Sequence, residues 1–238
     1  MTTVLHKART RGHANHGWLD SWHTFSFAGY YNPDRIHFGA LRVLNDDTVA
    51  GGMGFGKHPH DNMEIVSIPL EGDLEHGDSM GTTAVIKQGD VQVMSAGTGI
   101  IHSEKNKNQD KQVKFLQIWV FPNKKNVQPR YDQKSFSLKD KHNQWATVVS
   151  PLGTPDGGVQ LHQDAWFHLT KLDAGKDLSY KVKKEGNGVY AFVLEGEIKI
   201  GETTLNRRDG LGISETEAFT VQAVSDSEIL LMEVPMME

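Results

Sequence analysis

Two short pairs constrain this chain more than anything else in it: His58-Pro59-His60 and, further along, His102-Ser103-Glu104. On a helix, residues i and i+2 point to nearly opposite sides and cannot converge on one ion, whereas on a strand they share a face. The spacing therefore predicts two strands that each present two ligands to a common β-barrel interior. Pro59 agrees with this, because it biases His58 towards extended backbone and, having no N–H to donate, belongs at an edge or strand start. Three imidazoles and one carboxylate make a donor set for a single divalent transition metal.

With no cysteine in 238 residues, there is no disulfide framework and no thiolate metal site, so any metal must use nitrogen and oxygen ligands. The length and a 37% hydrophobic content suffice for one large β domain or two smaller ones. No apolar run approaches the roughly 20 residues needed to cross a bilayer, and the opening MTTVLHKARTRGHANH lacks a signal-peptide core, so a cytoplasmic location away from membranes is expected. Residues 1 to 130 carry 14 Lys/Arg against 13 Asp/Glu and residues 131 to 238 carry 11 against 17, giving +1 and −6. Neither half is the basic surface that nucleic acid requires. Lys124-Lys125 and Arg207-Arg208 are expected to be solvated turns.

Short apolar or alternating runs such as Met63 to Leu70, Val91 to Met94 and Val113 to Phe121 are punctuated by Gly-Asp and Asn-Asp turns, the pattern of an all-β sandwich or barrel. The polar stretch Pro122 to Asp140 reads as a linker, dividing a domain 1–130 from a domain 131–238, and it is the one place where a turn or two of helix is expected. A repeat supports duplication. Leu70-Glu71-Gly72-Asp73-Leu74 recurs as Leu194-Glu195-Gly196-Glu197-Ile198, and Asp90 with Ser95 recurs as Asp209 with Ser214. Carrying these offsets to the ligand positions puts Val182, Lys184, Val221 and Ala223 there in the second half, so only the first barrel is expected to bind metal.

Gly52-x5-His58-x-His60-x3-Glu64 with Gly72, followed by Gly97-x-Gly99-x2-His102-x3-Asn106, resembles the two cupin motifs. HPHDNMEIVSIPLEGDLEHGDSMG and QGDVQVMSAGTGIIHSE, with HTFSFAGYYNPDRIHFGALRVLNDD upstream, resemble the pirin family more specifically. The resemblance implies two tandem cupin domains of jelly-roll β-barrel form, with one metal in the N-terminal barrel held by His58, His60, His102 and Glu104. Iron is the first expectation for that metal, with nickel, copper, manganese, cobalt or zinc as alternatives. In some members of the family the implied activity is quercetin 2,3-dioxygenase, with a flavonol and O₂ as partners, and a monomer is expected. Many cupins instead take their carboxylate from the first motif, here Glu64; Glu104 is favoured because it shares a strand face with His102, which leaves Glu64 a supporting role. The usual proline of the second motif is replaced by Gly97.

Glu104 is the candidate general base towards a flavonol hydroxyl. Two other functions fit the same residues: a regulatory, redox-sensing bicupin whose acidic second half offers a protein-binding surface, and a metal-dependent isomerase of a small oxygenated metabolite. An isolated histidine is more often a hydrogen-bonded structural residue than a ligand, and His13, His16, His37 and His76 are read so. The aromatic segment Trp18 to Tyr31 is expected to pack the outside or mouth of the barrel. Gly97-Thr98-Gly99 lacks the lysine and following helix of a phosphate loop and reads as a turn.

Overall fold

A computed structural model describes residues 1–237. The first half contributes β1 (Thr2–His6), β2 (Gly12–Asn15), β3 (Leu19–His23), β4 (Leu41–Val49), β5 (Gly54–His60) and β6 (Glu64–Glu71). It continues with β7 (Leu74–Asp78), β8 (Thr83–Ile86), β9 (Asp90–Ser95), β10 (Ile100–Asn106), β11 (Val113–Val120) and β12 (Arg130–Ser135). After a four-residue helix α1 (Leu138–Lys141) come β13 (Ala146–Pro151), β14 (Val159–Leu161), β15 (Trp166–Leu172), β16 (Asp177–Lys181) and β17 (Asn187–Glu195). The chain ends with β18 (Glu197–Ile200), β19 (Thr203–Asn206), β20 (Gly210–Ser214), β21 (Ala218–Ala223) and β22 (Ser227–Pro235). No described helix is long and apolar enough to cross a membrane.

The strands form two cupin barrels, each a seven-stranded sheet closed over a four-stranded one. The first pairs β12-β9-β6-β11-β4-β3-β2 with β5-β10-β7-β8, and the second pairs β1-β20-β17-β22-β15-β13-β14 with β16-β21-β18-β19. The two orders correspond except at the far edge, where β2 pairs antiparallel with β3 but β14 pairs parallel with β13, so the duplication read from two short repeats extends through most of the topology. Residues Arg130–Ser135, inside the polar stretch read as linker, form a strand on β9 of the first barrel, while Thr2–His6 pairs with β20 of the second. The second barrel thus takes one edge strand, β1, from far outside the run of its other strands, and α1 is the helical turn expected in the polar stretch.

Both faces of the large sheets are buried, which is why β6 (EIVSIPLE) and β17 (NGVYAFVLE) read as nearly continuous apolar runs instead of clean alternation. Val66, Ile68, Val91 and Val93 from the first sheet pack in one cluster with Val149, Phe167, Phe192 and Leu230 from the second. The barrels therefore meet sheet on sheet through a shared apolar core. On the opposite faces, Leu74, Val113 and Phe115 fill the first barrel, and Val189, Ala191, Val221 and Leu231 fill the second.

Candidate metal centre

The ligand strands behave as the i, i+2 rule requires. Along β10 the burial alternates: Ile100, His102, Glu104 and Asn106 point inward, while Ile101 and Lys105 are exposed. Neighbouring β5 places His58 opposite His102 and His60 opposite Ile100. A register shift between His102 and Glu104 then sets Glu104 opposite Phe55. The tight turn that feeds β10 explains the missing proline of the second motif. Gly97 sits at φ 50, and a Cβ there would lie 2.0 Å from the Val127 carbonyl oxygen.

His58, His60 and His102 offer ligand atoms that all lie within 4.8 Å of one another, a group able to hold a metal ion. The ring centroids are 4.4 Å apart for His58 and His102 and 4.9 Å apart for each of the other two pairs. His58 Nδ1 donates to the Gly56 carbonyl at 2.7 Å, leaving the Nε2 lone pair free to ligate, and that Nε2 stands 2.9 Å from His102 Nε2. Two nitrogens bound in adjacent positions at ~2.1 Å from one ion lie ~3 Å apart, so this pair is already spaced for a shared metal. Burial lowers the pKa of His102 to about 2 and that of His60 to about 4, in both cases helped by neighbouring histidines. Both imidazoles are thus neutral, the form a metal needs. The donor set fits a divalent transition ion.

Glu104 stands outside the three-histidine cluster. Its buried carboxylate accepts from Ser67 Oγ at 2.8 Å and from Gln117 Nε2, and burial raises its pKa, partly offset by the Ser67 bond. Glu64 lies elsewhere altogether. Along β6, Ile65 and Ser67 face the barrel interior while Glu64, Val66 and Ile68 face the second barrel, where Glu64 accepts from Ser95 Oγ at 2.7 Å and from the His162 N–H at 3.1 Å. The four-residue step from His60 crosses a turn into a strand of the other sheet, so Glu64 does not support the histidines as the sequence suggested.

His76, read from the sequence as an ordinary structural histidine, belongs to this interior. It is fully buried, pairs in register with Glu104, and lies 5.5 Å from His102 between ring centroids and 4.8 Å from Tyr131. Its Nε2 bonds Asp78 Oδ2 at 2.8 Å. The signal was present: His76-Gly77-Asp78 is another i, i+2 pair, subject to the same strand argument as the ligands. Gln117 and Ser67, which hold Glu104, carried no comparable pattern. Trp119 packs 5.0 Å from His60 and 5.4 Å from Phe27, so one member of the Trp18–Tyr31 segment reaches the site's surroundings, whereas Trp18 packs on Phe55. Met63, Ile65, Met94 and Ile100 complete an apolar cluster with Trp119 beside the histidines.

The second barrel carries different residues at these places. The pairing of β16 with β21 sets Leu178 opposite Val221 and Tyr180 opposite Phe219, so Leu178 and Tyr180 take the positions of His58 and His60. The sequence offset had pointed to Val182 and Lys184; it drifts by four residues because the β16–β17 connection is longer than the β5–β6 one. Val221 and Ala223 remain at the places of His102 and Glu104 and are buried. Arg208, expected to be solvated, is only 5% exposed and donates from Nε to Asp46 Oδ2 of the first barrel at 2.8 Å.

Residues 4–120 match the Pirin family, and residues 147–234 match the quercetinase C-terminal cupin domain. The quercetin 2,3-dioxygenase of Escherichia coli K12 is 44% identical over 231 residues, covering 97% of this chain and 98% of that protein. A pirin-like protein of Caulobacter vibrioides is 36% identical over 222 residues, covering 93% of this chain and 95% of the relative. The crystal structure of the bacterial pirin YhhW from E. coli in complex with nickel(II) is similar at TM-score 0.93 and 42% identity, covering 99% of this chain and 100% of that one.

Proposed function

Because the chain belongs to the pirin family of two-barrel cupin proteins, we propose that it is a metal-dependent 2,3-dioxygenase that cleaves the heterocycle of a flavonol such as quercetin with O₂. The observation that carries this reading is the convergence of three imidazoles within ligand distance of one another, with a buried carboxylate on the same interior face. His58, His60 and His102 hold the ion, and Glu104 completes the set from β10. A redox-capable divalent metal, iron in this proposal, supplies the positive charge that acidifies a hydroxyl beside a ketone and the electron transfer that O₂ chemistry requires.

The protein's own groups provide the rest. Burial makes Glu104 more basic than an ordinary carboxylate, which suits it to receive the flavonol 3-hydroxyl proton, and Ser67 and Gln117 fix its orientation. Trp119, Phe27 and Met63 offer an apolar, partly aromatic flank for a flat substrate and keep water from the reacting face. In the net reaction both atoms of O₂ enter the opened product and one ring carbon leaves as carbon monoxide.

The test is anaerobic purification with metal analysis, reconstitution with ferrous iron, and spectrophotometry of quercetin under O₂ with detection of carbon monoxide. Metal-dependent loss of the flavonol with equimolar carbon monoxide is expected. A fully metal-loaded protein that leaves quercetin intact would contradict the proposal.

A further inference from the structure

Away from the histidines, a cavity of about 510 Å³ opens between the two barrels. Its apolar wall comes from both halves: Leu70 and Phe136 from the first, Leu169 and Leu194 from the second. That volume falls within the usual range of small-molecule pockets, which are mostly apolar with a few placed polar groups.

The charges around the cavity are matched, with one exception. Lys171 pairs with Glu228. Asp90 accepts from the Lys87 N–H, from Gln133 Nε2 and from Ser135 Oγ. Arg208 is bound to Asp46 and to the Leu194 carbonyl, and Glu195 is engaged by Arg207. Lys141 remains: it lines the cavity, is only 8% exposed, and among the described residues its ammonium makes no hydrogen bond or ion pair. The side chain is largely covered while its Nζ keeps access to the cavity's solvent, so its hydrogen-bonding capacity is open to an anion that enters the cleft. Burial lowers the Lys141 pKa, and Glu228 opposes that only partly. Arg208, on the same wall, holds a left-handed backbone at φ 66, a conformation that non-glycine residues retain chiefly where their surroundings fix it.

We propose that this cleft binds a small organic anion with an apolar body, of the aromatic carboxylate class. The carboxylate lies against the Lys141 ammonium, and the ring system lies against Phe136, Leu169 and Leu194. Such a ligand spans both barrels and is separate from the metal centre, since none of the cavity's lining residues is a candidate metal ligand.

The experiment is calorimetric titration of the full-length, metal-loaded protein with 1-naphthoate, and with neutral 1-naphthalenemethanol as the uncharged counterpart. Saturable one-to-one binding of the acid is expected, with the alcohol weaker by about tenfold or more. K141M should weaken naphthoate by a similar factor, K141R should retain most of the affinity, and H102A should bind as the wild type does, which separates the cleft from a carboxylate held at the metal. Absence of binding, equal binding of the alcohol, wild-type affinity in K141M, or loss of binding in H102A would each overturn the proposal.

Discussion

Where the first barrel sets His60 beside Trp119, the second sets Tyr180 beside Glu233, with the Tyr180 hydroxyl donating to Glu233 Oε2 at 2.6 Å. Glu233 also accepts from the backbone N–H groups of Lys183 and Lys184 and from Asn187 Nδ2, so its carboxylate is fully occupied by this protein's own donors. Among the described residues each barrel also leaves a buried imidazole nitrogen without a partner, His76 Nδ1 and His102 Nδ1 in the first and His168 Nε2, beside Tyr180, in the second, but only in the first do three imidazoles converge. One strand plan therefore carries two interiors. The second is filled by apolar side chains around a carboxylate bound by the protein's own donors, and the first converges three imidazoles at metal-ligand spacing. A duplicated barrel needs only a few substitutions on its inward face to move between these states, because the i, i+2 geometry of the strands is common to both.

The sharpest way to break the comparison is to empty the first barrel. His102→Ala and His58→Ala should each abolish stoichiometric metal binding by metal analysis after dialysis, since removing one of three converged imidazoles leaves the ion undercoordinated. Retention of a full equivalent in both would erase the distinction between the barrels.

Placing a carboxylate at the corresponding place in the second barrel should have the next largest effect. Val221→Asp buries an unpaired charge in an apolar cluster and should cost about 3–5 kcal/mol in denaturant unfolding, while metal content in the folded fraction stays at that of wild type. An unchanged midpoint would mean that this interior is open to water.

Within the first barrel, Glu104→Gln should lower turnover on the flavonol by about 100-fold or more with little loss of stability, as expected for the loss of a general base. Steady-state kinetics beside thermal melting separates the two effects, and near-normal turnover would remove Glu104 from the chemistry.

Smallest in size, and informative about the interface, is Glu64→Gln. Burial raises the Glu64 pKa from the ordinary carboxylate value of 4.5 to about 7 in the folded protein, so the proton-bound form favours the fold. This group's contribution is fully present below about pH 4.5 and is lost as pH rises through about 7. The variant should therefore decline less in stability than wild type between pH 5 and 8, by pH-dependent thermal melting, with metal content unaffected. Parallel pH profiles for the two proteins would show that Glu64 is not titrating at the interface.

The sequence made the barrel architecture readable because strand alternation, glycine turns and repeated turn sequences are local signals. The histidine ligands were readable for the same reason: an HxH pair constrains backbone geometry by itself. What escaped was non-local. His76 looked like an isolated histidine until β7 was paired beside β10, and Glu64 looked like a neighbour of His60 until the chain turned into the other sheet. Arg208 looked like a surface turn because nothing near it in sequence announces that Asp46, from the other barrel, closes over it. The offset of 124 residues mapped β6 onto β17 correctly and failed at β16, since insertions accumulate in connections and not in paired strands.

The central claim is that metal chemistry resides in one barrel only, on His58, His60 and His102. Anomalous diffraction from crystals of the iron- or nickel-loaded protein tests it most directly. The account predicts one peak per chain, at bonding distance from those three imidazoles, and none within residues 141 to 237. A peak in the second barrel, or one in the first that leaves any of the three histidines unbound, would contradict it.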